Sequence, residues 1–287
     1  MKSVKQIIMY VFISVIILYN GCGTGINLFS QSDEVKLGQE VSGEISNNPK
    51  DYPIFKGDPS IKNYINNRIF KHILSSKQIS SRNIYNYELE IIDDPKIFNA
   101  FALPGGYIYV YTGLLKYLNS EAALAGVIGH EIAHAERRHG TTRMTTSYGV
   151  GFLLSLVLGD NPSQVTQIAS NLFVGLAFLA NSRSDENEAD DFSFNFLRDS
   201  RYYPGGVKFF FEHMKSDNLV NNNPGEIEKF LSTHPDPIDR IADIDEKLKA
   251  VGLPILHYNS TGKDIYADLY RINVKNKLEK YYRVKGN

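Results

Sequence analysis

Residues 126–140 read "GVIGHEIAHAERRHG" and carry His130, Glu131 and His134 within five positions. Residues four apart on an α-helix lie one turn above each other, so both imidazoles leave the same side. The wider run "AALAGVIGHEIAHA" is not the composition of an exposed, basic helix face. A helix is predicted from Asn119 or Ser120 to Gly140, with the glycine as its C-terminal cap. Seven histidines in 287 residues would yield H-E-x-x-H by chance in roughly one such chain per hundred. The motif's place on a predicted helix lowers that risk.

Two imidazoles so placed can hold one Zn²⁺ at about 2.0–2.1 Å. Glu131, the next residue round from His130, can take a proton from an attacking water without ligating the ion, while the metal polarises a peptide carbonyl. A metzincin would continue with a glycine and a third histidine at set distances. Here Arg137 stands at the glycine position and His139 falls one residue early, so His139 reads as a last-turn residue favoured by the helix dipole. The third ligand must come from elsewhere, and "SRSDENEADD" (182–191) supplies candidates. An acidic run is more often a solvated face than a metal site. Yet Glu186 and Asp190, four apart, can both face the histidines, one ligating and the other accepting a hydrogen bond from a ligand's far nitrogen. Glu188 would point away, although spacing alone does not exclude it.

Four blocks in order, "NAFALPGGYIYVYTGLL" (99–115), "GVIGHEIAHAERRHG", "SRSDENEAD" (182–190) and "STHPDPIDRI" (232–241), resemble the zinc metallopeptidase family of the CAAX prenyl protease. The soluble periplasmic branch, which includes the β-barrel assembly-enhancing protease, is the most similar kind. The resemblance implies an α+β, mainly helical, zincin-like fold with a small sheet over the active-site helix. It implies one Zn²⁺ per chain on His130, His134 and Glu186, with Glu131 as general base and Asp190 behind a ligand histidine. His234 and Arg240 match the family's histidine–proline block. There the histidine is expected either to plug the zinc's open position or to assist the transition state, with the arginine beside it as a charge stabiliser for the oxyanion. The tyrosine-rich strand resembles an edge strand that holds the substrate backbone by β-augmentation. Gly106, Tyr107 and Tyr109 lie on that strand, and Asn99 and the Pro104–Gly106 turn shape the cleft rim. The chain departs from the family in having neither the many membrane spans of the prenyl proteases nor a helical-repeat domain, so prenylated substrates and repeat-docked partners are not expected.

The N-terminus joins a basic head, "MKSVKQ", to an apolar run, "IIMYVFISVIILY", and a small-residue exit, "NGCGTG". That is the layout of a secretory signal, and the run is short of the about 20 apolar residues of a spanning helix. "LYNGC" (18–22) resembles a bacterial lipoprotein signal in which Cys22, the only cysteine, becomes the lipidated first residue; Tyr19 and Asn20 depart from the usual pattern. The expected organisation is a signal at 1–21, a metallopeptidase domain at 22–250 and a C-terminal extension at 251–287. Export to the periplasm or cell envelope follows, with membrane contact only through the signal or a lipid anchor. The expected partners are protein or peptide substrates, including misfolded envelope proteins. A net charge of −1 offers no basic stripe for nucleic acid. Two functions compete: a zinc-dependent endopeptidase, and a zinc-stabilised, weakly or non-proteolytic binding or assembly factor. They differ in whether His234 closes the metal's fourth position.

Other elements are legible locally. A helix is expected over 33–45. A second starts at Asp58–Pro59 with Ile61, Ile65, Ile69 and Ile73 as its stripe. Strands are expected in "IYNYELEII" (84–92) and "YIYVYTG" (107–113). The apolar blocks within 147–181 are too interrupted to span a bilayer and read as buried helices. "DENEADDFSFNFL" (185–197) reads as a further helix with Phe192, Phe196 and Leu197 inward, and another starts at Asp236–Pro237 with Ile238, Ile241, Ile244 and Leu248 in register.

Overall fold

Ser30 opens the first helix, α1 (Gln31–Asn47), with a capping box: its hydroxyl accepts from the Asp33 amide, and the Asp33 carboxylate accepts from the Ser30 amide. The computed structural model describes residues 26–149, 168–171, 173, 180–219, 228–235 and 237–286. Asp58 caps α2 (Pro59–Tyr64), which runs through a π-helical turn, Ile65–Phe70, into Lys71–Ile73. The stripe Ile61, Ile65, Ile69 and Ile73 is fully buried. The signal segment and Cys22 lie outside the described residues, as does most of the two apolar blocks. No helix among the described residues is long and apolar enough to cross a membrane.

Three strands, β1 (Glu88–Ile92), β2 (Ala100–Ala102) and β3 (Tyr107–Tyr111), form one sheet in the order β1-β3-β2. β3 runs parallel to β1 and antiparallel to β2. The tyrosine-rich strand is therefore central, and the expectation that it offers a free edge is corrected. Side-chain alternation reports which faces are buried; it says nothing of which main-chain edge is paired. The outer positions belong to β1, which carries an isolated bridge between Ile54 and Ile92, and to β2.

After α3 (Thr112–Tyr117), Ser120 caps α4 (Glu121–Glu136) by accepting from the Ala123 amide. Every residue of α4 is buried. Its terminal carboxylates tie it to the rest of the molecule. Glu121 accepts from Arg68 and Tyr64, and Glu136 from the Ser80 and Ser81 amides and the Tyr87 hydroxyl. The helix ends at Glu136, short of the predicted Gly140, because Arg138 takes a left-handed conformation (φ 62°, ψ 30°) and a new helix, α5 (His139–Tyr148), starts beyond it. That conformation costs an L-residue about 1–2 kcal/mol. It is held by hydrogen bonds from the Arg138 guanidinium to Glu34 and to the Phe29 carbonyl.

Ser182 caps α6 (Arg183–Arg198) in a second capping box, with Asp185. Then come α7 (Gly206–Ser216), α8 (Glu228–Thr233) and α9 (Pro237–Ala250). Phe196 and Leu197 are buried as expected, whereas Phe192 is half-buried with the Arg137 guanidinium over its ring. The chain closes with α10 (Ala267–Tyr270), a π turn (Arg271–Lys275) and α11 (Asn276–Lys285). Tyr270, Val274, Leu278 and Tyr282 from this tail belong to the same core as α2 and α4.

α6 and α7 lie along α4 at close range. A Cβ on Gly126 would fall 2.1 Å from the Val207 main-chain nitrogen, which no rotamer change can relieve. Alanine at this position improves helix propensity by about 1 kcal/mol, yet overpacking costs about 1–3 kcal/mol and more against a backbone. Gly126→Ala is therefore expected to lower the urea midpoint; an unchanged or raised midpoint would show that α4 and α7 can separate freely.

Candidate metal centre

His130 and His134, one turn apart on α4, place their Nε2 atoms 2.9 Å from each other. Glu186, in the first turn of α6, brings its Oε2 to 3.4 Å from His130 Nε2 and its Oε1 to 3.3 Å from His134 Nε2. His234, just after α8, adds its Nδ1 at 3.4 Å from His130 Nε2 and 3.0 Å from Glu186 Oε1. These four buried residues each offer a donor atom within 4.8 Å of the others. Donors held about 2.0–2.1 Å from a tetrahedral zinc stand about 3.3–3.4 Å apart; each histidine has a Glu186 oxygen at that distance, a different oxygen for each, and the two histidine nitrogens are closer together. Two nitrogens, one carboxylate and a third imidazole suit zinc chemically as well as geometrically.

Behind these donors lies a second set of contacts. With Nε2 turned to the cluster, His130 carries its proton on Nδ1 and donates it to Asp190 Oδ1 at 2.8 Å. Arg240, buried on α9, donates from Nε to Asp190 Oδ2 at 2.7 Å and from Nη1 to Glu186 Oε2 at 2.6 Å. Asn181 donates to Glu186 Oε1 at 2.7 Å and receives from Arg143. Nothing in the linear pattern around Asn181 marks it, since its role depends on the turn into α6.

The electrostatics follow from burial and these partners. Burial opposes a charge on His130, but Glu186 and Asp190 outweigh it and hold its proton up to about 9. His134 is pushed well below the usual histidine range by burial and by His130. Burial likewise opposes ionisation of Glu186 and Asp190. The nearby cations win, with His234 and Arg240 holding Glu186 well down and Arg240 leading for Asp190, which falls to about 2. For Glu131 burial wins: His234 and His130 oppose it only in part, and its carboxyl is raised. Such a cluster holds ionised carboxylates beside a histidine proton that a divalent cation can replace.

The cleft over the donors is lined by Glu131, His134 and His234 on one side and by Asn99, Phe101 and Ala102 on the other. His234 Nε2 stands 3.7 Å from Glu131 Oε1. Asn99 Nδ2 is buried with no hydrogen-bond partner among the described residues, while its Oδ1 accepts from the Ala100 amide at 2.9 Å. Three expectations change here. Arg240 does not reach the cleft: its guanidinium is committed to two carboxylates behind the ligands, which removes it as a direct oxyanion contact. Tyr107 and Tyr109 line a separate groove against Phe70 and Leu74, because β3 is central, and Gly106 ends the turn that leads into it. His139 is not a last-turn residue of α4: it lies beside His134, and Glu188 lies beside His139.

A helix-borne H-E-x-x-H joined by a glutamate from a second helix, beneath a small sheet, is the architecture of a zincin-like metallopeptidase of the gluzincin type. Residues 61–248 match the model of peptidase family M48, and the chain belongs to that family. It is similar to the mitochondrial metalloendopeptidase OMA1 of Schizosaccharomyces pombe, at 31% identity over 63% of this chain and 51% of that protein. The β-barrel assembly-enhancing protease of Escherichia coli is 29% identical over 65% of this chain and 38% of its own length. The metalloprotease YcaL of the same species is 28% identical over 57% of this chain and 62% of its own. The alignments thus take in about half of OMA1 and less of the assembly-enhancing protease.

Proposed function

We propose that the chain is a zinc-dependent endopeptidase acting on proteins or peptides of the bacterial cell envelope, in protein quality control. The observation that carries this reading is the convergence of His130, His134 and Glu186 beside a buried glutamate at the floor of a cleft. His130, His134 and Glu186 would hold the zinc, whose chemistry here is to polarise a peptide carbonyl and acidify the attacking water. Glu131, its carboxyl raised by burial, takes the water's proton and returns it to the leaving amine. Residues 99, 101 and 103 face β3 in the antiparallel ladder, so the main-chain groups of Ala100 and Ala102 turn outward. Ala102 and Asn99 Nδ2, which has no partner among the described residues, would hold an extended peptide. Arg240 positions Glu186 and Asp190 and leaves the oxyanion to other groups.

The envelope assignment leans on the N-terminal signal-like segment and Cys22, since the relatives divide between mitochondrial and bacterial proteins. Purified protein is expected to carry one zinc per chain and to degrade an unfolded protein in a chelator-sensitive way. Glu186→Ala should lose both properties. Metal-free wild type, or full metal content in the variant, would overturn the centre as described.

One observation favours the second reading, of a closed site: His234 Nδ1 stands among the metal donors. If His234 is a removable plug, His234→Ala should cleave faster than wild type at unchanged zinc content. A slower variant would instead assign His234 to transition-state stabilisation.

A further inference from the structure

We propose that Glu188 and His139 form a hydrogen-bonded relay that positions His134, the second α4 histidine, for metal binding. The proposal rests on the metal-centre reading above, because the metal's side of His134 decides where its proton lies. Geometry, not sequence spacing, brings the three groups together. In an unbroken α-helix of 3.6 residues per turn, a residue five positions after His134 points about 140° away from it. The break at Arg138 cancels that rotation: His139 Nδ1 comes to 2.8 Å from His134 Nδ1, and His139 Nε2 to 2.8 Å from Glu188 Oε2. Arg137 Nη2 holds the other Glu188 oxygen at 2.8 Å.

The protons follow in one direction. His134 Nε2 faces His130 Nε2 and Glu186, so its proton is on Nδ1 and is donated to His139. His139 must then be bare at Nδ1 and protonated at Nε2, from which it donates to Glu188. Each α4 histidine thus ends on a carboxylate gripped by an arginine: His130 directly on Asp190 with Arg240, and His134 through a second imidazole on Glu188 with Arg137. His139 and Glu188 are positioning residues, remote from the reacting atoms. They fix the ring angle and tautomer of a ligand and raise its basicity, as outer partners of metal-bound histidines do.

The test is zinc affinity by chelator competition for wild type, His139→Ala and Glu188→Gln, together with ¹⁵N NMR of the imidazoles in zinc-loaded wild type. His139→Ala is expected to weaken zinc binding about 10–100-fold. Glu188→Gln should weaken it less, since an amide oxygen still accepts from His139. The spectra should show His139 as the Nε2–H tautomer. A His139 protonated on Nδ1, or affinities within twofold of wild type in the folded variants, overturns the relay while leaving the metal centre standing. If His139→Ala does not fold, Glu188→Gln and the wild-type tautomer decide. Wild type that binds no zinc overturns the metal-centre reading and this proposal with it.

Discussion

Glu131→Gln should retain one zinc per chain and lose cleavage of an unfolded protein by about two to four orders of magnitude, the usual worth of a positioned acid–base group. Glu131 is absent from the four donors that converge, so the ligand set is untouched. Glutamine keeps the shape and cannot take a proton from water. Stability should not fall. Burial is the main influence on the Glu131 carboxyl and raises it, so a neutral amide removes a desolvation penalty as it removes the ion's contact with His234. Metal analysis, thermal melting and a fluorogenic protein substrate separate the three readouts. A variant within about threefold of the wild-type rate would reject Glu131 as the base, whatever its zinc content.

Local signals carried much of the fold. Asp58–Pro59 and Ser120 mark helix starts, and the isoleucine stripe of α2 is buried as its period demands. His130 and His134 were legible for the same reason: four-residue spacing is a property of one helix. Glu186 was not, because five acidic residues lie within seven positions and spacing left several open; the resemblance singled it out. Sheet order was illegible in a different way. The alternation in "YIYVY" is the same for a central strand as for an edge, and only pairing with β1 and β2 distinguishes them. His139 was misread because Arg138 adopts a left-handed conformation without being glycine or asparagine. The turn is imposed by Glu34 and the Phe29 carbonyl, about a hundred residues earlier, and no window around Arg138 contains that information.

Arg240→Met should destabilise the chelator-treated protein by about 3–5 kcal/mol, the penalty for stripping one partner from a buried ion pair. The side chain is of similar length and apolar, so packing loss is small and charge decides. Asp190 would then keep only His130, which it shares with Glu186, while Glu186 also keeps His234. Removing the Asp190 charge as well, in Arg240→Met/Asp190→Asn, should restore part of the loss, because the pair is then neutralised together. Strictly additive losses from the two single variants would mean that the arginine and the carboxylate do not depend on each other. The pH dependence has a definite sign. Asp190 is held at about 2 in the folded protein against an ordinary 3.8, with Arg240 the largest of the groups that oppose burial. Its stabilising contribution is therefore full above about pH 4 and disappears as pH falls through 2. The variant lacks most of that contribution, so its stability deficit relative to wild type should be constant near neutrality and shrink on acidification. A deficit that widens as the pH is lowered towards 2 would place the dominant loss in some other group.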